Sequence, residues 1–215
     1  MAKRNYGAKD IATWRFEEPQ LPQDWTDHLG ELPIPFSMYV EGEGGHGKTE
    51  YIMMLSKMIA RHIGKVHVNN VEQGKHKGIK MSHIRNRIAE DVPAGKWMYN
   101  DIRDFEEYKT KMKRDRPKAM IIDSISFWPL GTKEIQNLMA EFPRKTLVLV
   151  GYAADSTKNK AIKHLCDIKV VVKDFKAYAR GRFEGSKPFV ISEEMHLSMM
   201  QSSRSKLHQT GNLFD

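Results

Sequence analysis

Cysteine is nearly absent: the 215-residue chain has one, Cys166, which excludes a disulfide framework and any cysteine-built zinc centre. Lying beside Leu165 and just ahead of the apolar run 168–172, it reads as a small core residue, not as a nucleophile or ligand. Long hydrophobic runs are missing too. No stretch approaches the roughly 18 apolar residues that a membrane span needs, and the opening MAKRNYGAKD has no apolar core of signal-peptide length. The expectation is a cytoplasmic protein with no membrane partner. Acidic residues are outnumbered, 27 Asp and Glu against 35 Lys and Arg, for a formal charge of +8; the excess favours an anionic partner without naming it. The nine histidines, among them His62, His67, His76 and His83, are scattered without metal-ligand spacing.

What is present fits one α/β domain. With 40% hydrophobic residues the chain can bury one core, and apolar β-rich runs alternate with helical patterns, the signature of a mainly parallel sheet with crossover helices. Strands are expected at 35–40, 65–70, 119–122, 146–151 and 167–172. Helices are expected at 48–63, stopped by Gly64; at 82–90; at 104–115, with Asp104 and Glu107 in capping positions; and at 132–141, closed by Pro143. The stretches 175–182 and 188–191 read as a late antiparallel extension across the turn Glu184, Gly185, Ser186. Residues 1–34, with Trp14, Phe16 and Trp25, form an N-terminal arm expected to pack, residues 35–193 the core, and residues 194–215 a polar, mobile tail.

Between the first expected strand and helix lies Gly42, Glu43, Gly44, Gly45, His46, Gly47, Lys48, Thr49, which fits the phosphate-binding pattern GxxxxGK[ST]. Glycines let backbone N–H groups turn inward around a phosphate, Lys48 sets a point charge against the β and γ oxygens, and the Thr49 hydroxyl suits Mg²⁺. The following helix directs its positive dipole end at the same anion. The nucleotide-binding stretch is therefore 42–50, including Glu50, and the cofactors expected are ATP and Mg²⁺. A second Mg²⁺-holding group belongs at the end of a neighbouring apolar strand, and Asp123, after Ala119, Met120, Ile121 and Ile122, occupies that position. A base or water-orienting group is also needed for hydrolysis. Glu72, just beyond the second strand, is the candidate, the alternative being a solvated loop glutamate.

The order of these features resembles the RecA-like P-loop ATPases: phosphate loop, strand then Glu72, helix 81–88 with Arg85 and Arg87, strand ending in Asp123 and Ser124, strand 147–151, then basic Arg180, Gly181, Arg182, Phe183. It is most similar to the RadA and DnaB-type cores, over residues 36–191, as a core-only protein of phage or mobile-element type. The resemblance implies a RecA-like fold, Glu72 as the catalytic carboxylate, and Arg180 and Arg182 as fingers reaching a neighbour's γ-phosphate. Hydrolysis would then occur at subunit interfaces of a homo-oligomer, a hexameric ring or a filament. It also implies action on DNA, single-stranded by preference, in recombination or replication. Where the family places a polar His or Gln after the fourth strand, this chain has Gly151, Tyr152, Ala153, Ala154, of which Tyr152 can donate one hydrogen bond. In such rings the loops 124–131, with Phe127 and Trp128, and 153–161, with Lys158 and Lys160, face the channel and offer stacking and phosphate contact; the alternative is that Phe127 and Trp128, next to Pro129, seal the sheet edge. The final Asn212, Leu213, Phe214, Asp215 is similar to the Leu-Phe endings that dock on sliding clamps, or is a frayed terminus. Two other readings stay open: a nucleotide-gated DNA-binding or annealing protein with little turnover, and a small P-loop kinase.

Overall fold

Continuous burial along three short strands organises the computed structural model, which describes residues 5–128, 130–155 and 159–201. In chain order the elements are α1 (Ala8–Ala12), α2 (Gln23–Leu29), β1 (Ser37–Gly42), α3 (Lys48–His62), β2 (Val66–Asn70), α4 (Lys77–Arg85), α5 (Ile88–Asp91), β3 (Trp97–Asn100) and α6 (Phe105–Asp115). There follow β4 (Ala119–Asp123), α7 (Thr132–Glu141), β5 (Thr146–Tyr152), α8 (Lys160–Leu165), β6 (Ile168–Lys173), β7 (Lys176–Gly181) and β8 (Phe189–Val190). β2 and β4 are buried at every residue and β5 at all but its last, as expected where a parallel sheet is covered on both faces.

The sheet has eight strands in the order β3-β2-β4-β5-β1-β6-β7-β8. β7 runs antiparallel to both of its neighbours, β6 and β8, and all the other pairs are parallel. Alternation along each strand feeds two cores. Met38 and Val40 of β1, with Ala119 and Ile121 of β4, face a core built on Tyr51, Ile52, Leu55 and Ile59 of α3. Tyr39, Met120 and Ile122 face the other core, built on Tyr108, Met112, Ile135 and Leu138 of α6 and α7.

The N-terminal segment joins the first core. Trp25 stacks 4.3 Å from Phe189, and buried His28 bridges the Tyr51 hydroxyl and the Lys187 carbonyl, each at 3.0 Å. Gly30 and Gly185 cross so closely that a Cβ on Gly185 would lie 2.1 Å from the Gly30 nitrogen. Residues 193–201 are helical. Among the described residues no helix is long and apolar enough to cross a membrane.

Several elements differ from the sequence expectation. The helix expected at 82–90 starts earlier, at Lys77, where the His76 ring accepts from the Gly78 N–H at 3.1 Å, and it breaks at Arg87, whose φ of 51° is left-handed. β3, unforeseen, is a four-residue edge strand paired with β2. α8 and α2 were also unforeseen. Asp104 does cap α6, accepting from the Glu107 N–H at 2.7 Å.

Candidate nucleotide site

Register brings the expected residues to one edge. β1 against β5 sets Gly42 opposite Tyr152, and β2 against β4 sets Asn70 opposite Asp123. These are C-terminal strand ends, where an open α/β sheet places its ligands. The loop 43–47 leaves β1 there, and Gly47, at a left-handed φ of 97°, turns it into α3. No side chain fits at Gly47, since a Cβ would lie 2.9 Å from the Phe175 ring. The α3 N-terminus thus opens onto a cleft of about 300 Å³ lined by Lys48, Thr49, Glu72, Asp123 and Tyr152 among others.

Lys48 is buried, its Nζ donating to the Gly42 carbonyl at 2.9 Å and lying 4.5 Å from the centre of the Tyr152 ring. Burial holds its pKa below the ordinary lysine value, opposed by the negative charges of Asp123 and Glu72. Asp123 is fully enclosed, and its carboxyl is pushed up to about 7, first by burial and then by Glu72, against the pull of Lys48. One oxygen, Oδ2, accepts from the Asn70 amide at 3.0 Å, while Oδ1 is buried with no hydrogen-bond partner. An orphaned carboxylate oxygen is costly. Beside a phosphate loop it is the donor that a hard cation with oxygen ligands takes, so Asp123 and Thr49 fit Mg²⁺.

Glu72 is fixed through its backbone. The Asp123 carbonyl accepts from the N–H groups of Val71 at 2.6 Å and Glu72 at 3.4 Å, and the Asn70 side chain accepts from the Gln73 N–H at 2.7 Å. The Mg²⁺-type carboxylate and the candidate base therefore share one scaffold. The Asp123–Ser124 peptide is cis. Tyr152 lies against Glu72; burial and that carboxylate together raise its pKa.

Other expected residues take different places. The Glu50 carboxylate accepts from Ser82 Oγ at 2.9 Å, Arg85 Nε at 2.8 Å and Asn86 Nδ2 at 2.6 Å, so its side chain clamps α4 to α3 at the cleft wall. His46 turns away from the phosphate position and ties the loop to the β6–β7 turn, its ring 3.0 Å from Asp174 Oδ1. Arg180 and Arg182 are not brought to the cleft. Gly181 pairs with Ile168 at the start of β6, so both arginines sit at the opposite sheet edge, where Arg182 pairs with Asp167 at 3.0 Å. Of the aromatic pair expected to stack on nucleic acid, only Phe127 is exposed. Trp128 is buried, its indole donating to the Arg103 carbonyl at 2.7 Å and packing on Phe105 and Tyr108, so the stacking role expected for it is corrected to a core role. Lys160 is exposed at the start of α8; Lys158 and the 212–215 ending lie outside the described residues. Cys166 is buried in the second core and its thiol is pushed up to about 12 by burial.

Asn70, Gln73 and Phe175 also line or build the site and were not foreseen. Asn70 had a legible signal, as the last residue of the second expected strand, one position short of the turn that carries Glu72. Phe175 had none, because only the β6–β7 hairpin brings it to the loop.

No protein-family model matches this chain, and no curated protein matches it. Among solved structures, a KaiC-like protein from the hyperthermophilic archaeon Pyrococcus horikoshii OT3 is similar with a TM-score of 0.57, at 17% identity over 81% of this chain and 93% of that one. The flagellar accessory protein FlaH from Methanocaldococcus jannaschii is similar with a TM-score of 0.59, at 15% identity over 83% of this chain and 96% of that one. At such identity the likeness is one of fold. The fold is RecA-like, a mainly parallel sheet with flanking helices and a late antiparallel extension.

Proposed function

We propose that this chain binds Mg·ATP in the cleft at the end of β1 and hydrolyses it. The observation that carries the reading is the buried, partnerless Oδ1 of Asp123, gathered with Lys48 and Glu72 at the mouth of the phosphate loop. Mg²⁺ held by Thr49 and Asp123 would neutralise charge on the β- and γ-phosphates. Lys48 would exchange its contact with the Gly42 carbonyl for phosphate oxygens. Glu72 would orient and deprotonate the attacking water, its position fixed by the Asp123 carbonyl.

The opposite-edge placement of Arg180 and Arg182 supports hydrolysis at an interface between copies, since within one chain neither guanidinium sits at the cleft. A finger of this kind neutralises charge on the transferring phosphoryl group. A homo-oligomer, ring or filament, acting on single-stranded DNA in recombination or replication extends this reading. It is supported by the +8 charge and by exposed Phe127 and Lys160. A second reading, a nucleotide-gated DNA binder with little turnover, is favoured by one observation: the Tyr152 ring lies over Lys48 where a small polar group would have open access to the γ-phosphate. ATP turnover measured with and without single- and double-stranded DNA, across protein concentration, tests these. DNA-stimulated, concentration-dependent turnover is expected. Tight ATP binding with no turnover under any condition supports the second reading, and phosphate transfer to a small molecule supports a kinase.

A further inference from the structure

The late strands β6, β7 and β8 are covered on one face and bare on the other. Ile168, Val170 and Val172 of β6, Ala177 of β7 and Phe189 of β8 are buried in the first core. Residues between them in sequence point the opposite way, and there Val171 and Tyr178 are each 43% exposed. Val190 is exposed beside them. Helical cover on this second face ends at β1, where Lys163 of α8 pairs with Glu41, the register neighbour of Val171.

Register sets what the bare face presents. Lys169 stands opposite Arg180, Val171 opposite Tyr178, and Lys173 opposite Lys176, which in turn pairs with Val190 of β8. Two of these three β6–β7 pairs are therefore like-charged, an arrangement that costs stability. Nothing within the chain offsets it. Among the described residues none of Lys169, Lys173, Lys176 and Arg180 makes an ion pair, and the carboxylate at the end of the face, Asp167, is taken up by Ser37 and Arg182. Cations held side by side with no carboxylate between them suit an anion from outside the chain. The exposed Tyr178 ring, lying between the two charged rows, narrows the choice to an anion with flat apolar parts. Single-stranded nucleic acid has both, phosphates for the lysines and bases for the ring.

We propose that the open face of β6, β7 and β8 binds single-stranded nucleic acid, with Lys169, Lys173 and Lys176 on phosphates and a base stacked on Tyr178. It rests on the nucleic-acid reading above and adds to the Phe127 loop a second contact, borne by the sheet.

Fluorescence anisotropy on the full chain with a labelled oligothymidylate, across salt concentration, tests it. Lys169→Gln and Lys173→Gln should each weaken binding and lower the slope of log affinity against log salt by about 0.7, the value for one phosphate contact to a single strand. Tyr178→Ala should weaken binding by about tenfold, within the range of base–aromatic stacking, at an unchanged slope, and Tyr178→Phe should restore it. Wild-type affinity and slope in all of these variants would overturn the surface and leave the Phe127 loop to carry the strand. Equal affinity of the wild type for polyglutamate would mean a surface for acidic protein and would also overturn it. If the wild type binds no nucleic acid at any salt concentration, the nucleic-acid reading itself fails and this surface with it. Crosslinking of the wild type to an iodouracil-substituted oligonucleotide needs no variant to fold. Adducts should map to Tyr178, and adducts confined to other segments reject the proposal.

Discussion

Asp123, the carboxylate proposed to hold Mg²⁺, opposes stability at neutral pH. Its carboxyl is pushed up to about 7 from an ordinary 3.8, so the folded protein holds this proton more tightly than the unfolded chain. The stabilising contribution is therefore complete below about pH 3.8 and is lost as pH rises through about 7. Asp123→Asn should accordingly raise the melting temperature at pH 8 more than at pH 5, while abolishing the Mg²⁺ dependence of ATP binding. Thermal melts at the two pH values check the first part, and an equal gain at both would contradict it. Neighbouring side chains separate binding from chemistry. Lys48→Ala should remove tight ATP binding in calorimetry, whereas Glu72→Gln should keep affinity within about a few-fold and lower turnover by roughly 10²-fold, the usual scale for a lost general base. Unchanged turnover in Glu72→Gln would move the base elsewhere.

At the scale of elements, the segment after β4 separates packing from contact. Trp128 closes the second core over α6, and Phe127 beside it is exposed. Trp128→Ala should cost about 3–5 kcal/mol in urea unfolding, as for other buried aromatics. Phe127→Ala should leave stability nearly unchanged and weaken single-stranded DNA binding by fluorescence anisotropy. Equal DNA affinity for wild type and Phe127→Ala would remove this loop from the DNA surface. Sequence alone placed α3, α6, α7, β2, β4, β5 and β6 to within a residue, through apolar periodicity, unbroken or alternating burial, or, for α6, the Asp104 cap. β3 escaped because four half-buried edge residues carry no period. The start of α4 escaped because a histidine cap is outside the usual Ser, Thr, Asp and Asn set.

For the whole molecule, the separation of the arginine pair from the cleft sets a shared site against a self-contained one. If Arg182 serves a neighbour, Arg182→Ala and Glu72→Gln should each be nearly inactive, yet their mixture should regain partial turnover at interfaces pairing two intact faces. Turnover per subunit should rise with protein concentration, and DNA should shift that rise to lower concentration if it templates assembly. Concentration-independent turnover without complementation would leave Arg182 as the partner of Asp167 and a surface group. The Arg182 to Asp167 pair is exposed on the arginine side, so it is screened by solvent and weak enough to exchange for a phosphate.

The phosphate loop, Asp123 and the alternation of strand and helix were determined by sequence alone, because each is set by covalent spacing or by local periodicity. A loop of fixed length between a strand and a helix places Lys48 and Thr49 whatever lies around them, and an apolar strand carries its terminal carboxylate to the sheet edge. What only the tertiary structure decided depends on register and on hairpins that join distant segments. The pairing of β2 with β4 put Glu72 on the carbonyl of Asp123. The β6–β7 turn laid Phe175 against Gly47, and the packing of α6 took Trp128 into the core. Those contacts span tens of residues and follow from which strands neighbour one another, a choice made by the burial of the whole sheet and written in no single stretch of the chain.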